Sequence, residues 1–193
     1  MERILHYHPD QKMAEKFVIP LMQHENVLGY TTKLIVLKKY NLKSSVSVFN
    51  LNFSKLTLPI HYIKFLYTLY KYKPDIVFFH NSVQSTLPMF LSILFKIKKR
   101  IYFNHGLTFL GYNGILRYLF YAIEKCNAFL SDLTITVSKD MKHYLDKIKP
   151  NTILIHNGSA CGLDLIEFNK NRKKKKENSK IKVIYVGRLK KRK

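Results

Sequence analysis

Four short apolar runs in this chain stop abruptly at polar, turn-forming residues, and that repetition limits the fold more than any other feature. Residues 76–79, after Pro74, give way to His80 and Asn81; residues 100–104 lead to His105 and Gly106. Residues 133–137 run into Ser138, and residues 152–155 end before His156, Asn157 and Gly158. The run Ile76, Val77, Phe78, Phe79 is continuous rather than alternating, as in strands covered on both faces of a parallel sheet. Earlier in the chain, residues 3–8, 34–37 and 46–51 read as three more strands. Longer helical patterns separate them. Met13, Phe17, Leu21, His24 and Leu28 read as one helix bent at Pro20 and ended by Gly29, and a second begins at Pro59 and runs through Ile60, Ile63, Tyr67 and Tyr70. Ile115, Leu119, Ala122, Cys126 and Leu130 form a helical stripe expected to face the core. Strands alternating with helices predict an α/β fold, a Rossmann-like parallel sheet flanked by helices.

A chain of 193 residues holds one domain of ordinary size, and 47% hydrophobic with 13% aromatic residues rules against disorder. The formal charge of +22 is unevenly spread: residues 170–193 hold 13 of the 34 Lys and Arg but, of the 12 acidic residues, only Glu177. No apolar residue occurs between Phe168 and Ile181. We therefore expect a domain over 1–168, a basic linker over 169–180, and the first strand of a second domain over 181–193. The run at 172–176 is also what a solvated loop looks like. Cys126 and Cys161 are too few for a disulfide framework or zinc site and fit a reduced, cytoplasmic compartment. Residues 1–8 have no signal-peptide core, and the apolar residues 87–95 fall far short of the ~20 needed to cross a bilayer.

In an open parallel sheet, ligands bind beyond the carboxyl ends of the strands, so chemistry is sought there. That edge gathers His8 with Asp10, His80 with Asn81, His105 with Gly106, Ser138, and Asn157 with Gly158. Several histidines on one rim raise the question of metal, yet zinc sites normally show close ligand pairs, and His6 with His8 is the single close pair; no metal is expected. His105 is the sharpest candidate. Gly106 lets a ligand approach the backbone, and Gly111 and Gly114 punctuate an aromatic loop, LTFLGYNG, suited to closing over a substrate. The plainer reading has His105 ending a strand and packing on the next helix.

The tail IYVGRLKKRK resembles the GRLxxxK segment that opens the C-terminal domain of retaining GT-B glycosyltransferases of family four, with Gly187, Arg188, Leu189 and Lys193 at the matching spacing. ITVSKDM resembles that family's strand and serine before a helix. HNGSACGLDLIEF resembles the NG(x)GxD(x)F crossing of members that build surface polysaccharides, and YFNHG resembles the strand carrying the active-site histidine. These motifs extend over residues 76–193. The loop HPDQKMAEKF departs from the pattern in having no glycine.

The resemblance implies one half of a GT-B architecture and a hexosyl-type transfer from a nucleotide-sugar donor to a glycan or polyprenyl-linked acceptor. His105 would sit near the donor sugar, and Gly187, Arg188 and Lys193 at its diphosphate. No cofactor is implied beyond the nucleotide-sugar co-substrate. The family's second domain supplies the nucleotide pocket, so this chain is expected to be inactive alone, or to work with a separately encoded C-terminal half. Its basic, aromatic character is compatible with peripheral contact at the anionic inner face of the membrane. The alternative is a non-catalytic basic module for nucleic acid or anionic membrane; nucleic-acid binding would be salt-sensitive and would leave the strand-end histidines without a purpose.

Overall fold

Each apolar run between residues 3 and 155 does form a strand, and all of them join one parallel sheet. The computed structural model describes residues 1–37, 48–50, 58–150, 152–158, 160, 162, 183 and 184. Along the chain come β1 (Arg3–His8), α1 (Gln11–Phe17), α2 (Ile19–Val27), β2 (Thr31–Val36), β3 (Val48–Asn50) and α3 (Leu58–Tyr72). Then follow β4 (Ile76–His80), α4 (Thr86–Leu91), a 3-10 turn over Ser92–Leu94, β5 (Lys99–Asn104) and a 3-10 turn over Thr108–Gly111. The last are α5 (Gly114–Leu130), β6 (Leu133–Thr136), α6 (Lys139–Asp146) and β7 (Ile153–Leu154). The sheet has seven strands in the order β3-β2-β1-β4-β5-β6-β7. This is the expected α/β class, a Rossmann-like parallel sheet flanked by helices.

The order fixes where a ligand can go. The chain first builds outward from β1 to β2 and β3, then returns so that β4 pairs with the free side of β1, Ile4 beside Ile76 and Tyr7 beside Phe79. The strand order therefore reverses between β1 and β4, and crossovers leave that point in opposite directions, opening a crevice at the carboxyl edge.

Two helical layers cover the sheet. Leu5, Tyr7, Ile35, Val77, Phe79 and Tyr102 face α3 and α4 and bury Phe65, Leu69, Tyr72 and Met89 between the layers. On the other face Leu34 and Val36 pack against Ala14, Val18, Ile19 and Met22 of the α1–α2 segment. At the edge away from the crevice, Asp75 accepts from the Arg3 amide at 2.8 Å and pairs with Lys98 at 3.1 Å. Asp132 similarly accepts the Arg100 amide at 2.8 Å and its guanidinium at 3.1 and 3.2 Å. Of Lys96, Lys98, Lys99 and Arg100, the basic residues that follow the apolar 87–95 segment, Lys98 and Arg100 are thus tied to carboxylates.

Two expectations change. The single bent helix is two helices meeting at Val18, because Pro20 has no amide to donate and its ring excludes the carbonyl four residues before it; proline sits instead in the first turn of α2. Gly29 does end that segment, at φ +91°. The stripe on α5 faces outward: Ile115 is 84% exposed, Leu119 and Cys126 are exposed, and of the five only Leu130 packs on the core, as a partly buried residue. The buried positions of α5 include Glu124, Asn127 and Ala128. On α3 likewise Ile63 and Tyr70 are 64% and 68% exposed, whereas Phe65, Thr68, Leu69 and Tyr72 are buried. Most of the expected linker and second-domain strand, with Cys161, Gly187, Arg188 and Lys193, lies outside the described residues.

Candidate active site

Where β1, β4, β5 and β6 end, the crevice is a cavity of about 490 Å³ lined by His8, Asp10, Phe17, Asn81, His105 and Gly106, among others. Each arrives there for a local reason. His8 is the last residue of β1. Asp10 begins α1, its carboxylate accepting from the Met13 amide at 3.2 Å, while its own amide donates to His8 Nδ1 at 3.1 Å. Asn81 follows β4 at φ +85°, a left-handed conformation that asparagine tolerates better than most residues and that turns the chain at the cavity wall. His105 follows β5 directly, and the backbone after it is held by Asn104, whose Oδ1 accepts from the Gly106 amide at 2.8 Å.

Asn104 is itself held from below. Its Nδ2 donates to Tyr102 Oη and to Glu124 Oε2, both at 2.9 Å, and Tyr102 Oη donates to the same Glu124 oxygen at 2.7 Å. Burial pushes the Glu124 carboxyl up, against the bonds it accepts from Tyr102 and Asn104. A carboxyl on α5 thereby anchors the turn that carries His105. The aromatic loop after it is anchored too, since Leu107 and Phe109 are buried with Ala128, Leu145 and Ile148; Leu110 and Tyr112 stay exposed.

The other strand-end residues divide. His80 is fully buried beneath the cavity rather than on its wall. Ser138 caps α6, accepting from the Met141 amide at 3.2 Å. Asn157 is exposed and Gly158 packs on the end of β6, where a Cβ would meet the Val137 carbonyl at 2.7 Å. The structure therefore brings Asp10, Asn81, His105 and Gly106 to one cavity, with Ser138, Asn157 and Gly158 shaping its neighbourhood and His80 supporting it.

The rings under the cavity are linked. His6 Nε2 lies 2.9 Å from Glu25 Oε2, His6 Nδ1 is 3.1 Å from His80 Nε2, and His80 Nδ1 is 3.1 Å from His105 Nε2. Phe78 stacks on His6 at 4.8 Å and Phe103 on His105 at 4.5 Å, so apolar rings wall the chain. Burial lowers His105 to about 4, and burial together with the facing His105 lowers His8 to about 4. His80 is held well below the ordinary imidazole value by burial and by its histidine neighbours. These rings meet a ligand neutral at pH 7. Among the described residues no group of three or more His, Cys, Asp or Glu is arranged to hold a metal ion, and ring nitrogens here bond to one another. His6 carried a signal in the sequence, as partner of His8 on one strand face; Glu25 and Glu124 carried none, each being one polar residue on a helix.

The fold and cavity define a Rossmann-like lobe with a ligand crevice at its switch point. The profile of Glycosyltransferase Family 4 matches residues 25–159, well over half of the chain, and the protein belongs to that family. No curated protein matches it in sequence. Among solved structures it is similar to the sucrose-phosphate synthase of Thermosynechococcus elongatus, at 12% identity and a TM-score of 0.65, covering 80% of this chain and 47% of that one. It is similar to S. aureus MnaA in a structure with UDP, at 16% identity and a TM-score of 0.61, covering 83% and 44%. The UDP-GlcNAc 2-epimerase of Neisseria meningitidis bound to UDP-GlcNAc is also similar, at 18% identity and a TM-score of 0.61, covering 82% and 47%. At such identities the likeness concerns the fold, and this chain spans less than half the length of each. Among the described residues no helix is long and apolar enough to cross a membrane.

Proposed function

We propose that this chain forms the acceptor-side lobe of a glycosyltransferase that moves a hexosyl group from a nucleotide-sugar donor to a glycan or polyprenyl-linked acceptor in surface polysaccharide synthesis. The observation that carries the reading is His105, neutral and anchored at the wall of the switch-point cavity, in a member of Glycosyltransferase Family 4. A neutral imidazole among hydroxyl-compatible polar groups suits a sugar better than it suits a phosphate, which calls for fixed cations. In this reading Gly187, Arg188 and Lys193 supply the diphosphate contacts, the cations stabilising charge that develops on the leaving group. Transfer then needs a nucleotide-binding lobe as well as this one, in the same chain or separately encoded; similar structures of more than twice the matched length support that arrangement. No cofactor is called for beyond the co-substrate, and retention at the anomeric carbon follows the family resemblance.

The test is His105→Ala in the enzyme assayed with both lobes. Transfer should fall by about 10²-fold, the scale for removing one polar group from a transition state, with the thermal midpoint unchanged. Near-normal transfer would reject the assignment.

One surface favours a peripheral membrane contact during the reaction. Ile60, Ile63, Tyr67 and Tyr70 line the outer side of α3 beside exposed Lys64 and Lys71, the make-up of a helix that rests on anionic lipid. Co-sedimentation with vesicles should depend on anionic lipid, and equal binding to neutral vesicles would dispose of the idea.

A further inference from the structure

The line of hydrogen bonds from Glu25 to His105 has a direction, and the direction decides the tautomer of His105. A contact between two neutral rings needs one hydrogen, and each ring carries one, so the contacts all point the same way. An ionised carboxylate only accepts. Glu25 therefore places the hydrogen of His6 on Nε2 and leaves its Nδ1 bare; His80 must donate from Nε2 to that atom, and His105 must donate from Nε2 to His80 Nδ1.

The opposite direction needs one more proton in the chain and puts an N–H on His105 Nδ1. That atom is buried and has no hydrogen-bond partner among the described residues. Stranding a donor there is costly, and idle donors are rarer in proteins than idle acceptors. His8 stands beside the chain but outside it, its Nδ1 taken by the Asp10 amide. Phe17, Phe78 and Phe103 flank the rings.

We propose that Glu25, acting through His6 and His80, is a positioning group that holds His105 with its hydrogen on Nε2 and its Nδ1 bare. Glu25 belongs to α2, on the far side of the sheet from the α5 anchor of the same turn, so His105 is oriented from both faces. The tautomer stands independently of the transferase reading.

The experiment is long-range proton–nitrogen NMR on the 15N-labelled chain, which reports the protonated nitrogen of each ring. His6, His80 and His105 should all show a protonated Nε2 and a bare Nδ1. In Glu25→Leu, which removes the acceptor of His6 Nε2 and so strands a donor whichever way the chain points, the single-tautomer signature of His105 should be lost. Should that variant not fold, His6→Phe keeps a flat ring on Phe78 while removing both nitrogens, and the same loss is expected. An Nδ1–H on His105 in the unaltered chain, or an unchanged His105 signature in a folded variant, overturns the proposal. The expected spectra together with failed glycosyl transfer would leave the proposal standing and count against the transferase reading alone.

Discussion

At the scale of single residues, Gly158 shows how a backbone requirement serves the site. Its φ of +101° is one that L side chains rarely adopt, and a Cβ would lie 2.7 Å from the Val137 carbonyl at the end of β6, itself on the cavity wall. Both facts forbid a side chain, since the neighbour is backbone and cannot swing away. Gly158→Ala should lower stability by about 1–3 kcal/mol, read as a shift in urea midpoint, and an unshifted midpoint would contradict the close approach. The asparagine and glycine there were legible as a strand end, but the neighbour they meet was not, because it comes from another strand about twenty residues earlier. His105 is the converse case. Its place at the edge followed from the apolar run before it, while its bonds to His80 and the anchoring of its turn by Glu124 required knowing which strands and helices lie side by side.

At the scale of elements, strands were read well and helix faces poorly, for one physical reason. A strand buried on both sides is an unbroken apolar run, so its sequence states its environment directly. A helix shows a stripe, and the apolar stripe on α5 was assumed to point inward. On α5 the inward side instead carries Glu124, whose Oε2 accepts from Tyr102 and Asn104, and Asn127, whose Nδ2 donates to the Ser82 carbonyl. Burying polar groups is tolerable once they are paired, and pairing with another element is invisible in one sequence. The two sides of α3 can be told apart by mutation. Phe65→Ala should cost about 3–5 kcal/mol of stability, whereas Ile63→Ser and Tyr67→Ser should stay within about 0.5 kcal/mol of the parent while weakening binding to anionic vesicles. Chemical denaturation of the three variants checks the first part, and equal losses at all three positions would refute the assignment of faces.

For the molecule as a whole, the buried histidines tie stability to pH. Unfolded, His8 and His105 take up protons near the ordinary value of 6.5; folded, they do so only near 4, and His80 lies well below its ordinary value too. Between those limits the unfolded chain binds more protons, so stability is full above about pH 6.5 and declines as pH falls toward 4. Urea midpoints measured across that window should drop with acidification, and a flat profile would show that the rings are not held neutral. The sequence by itself determined the class of fold, the carboxyl edge where ligands meet it, and the family, since these depend on runs of apolar residues and the motifs at their ends. Tertiary structure alone decided which helix faces were buried, that Glu25 and Glu124 reach the His105 turn from opposite sides of the sheet, and which nitrogen of that ring stays free. Those outcomes depend on contacts between segments far apart in the chain, and a hydrogen bond is set by where both partners end up in space.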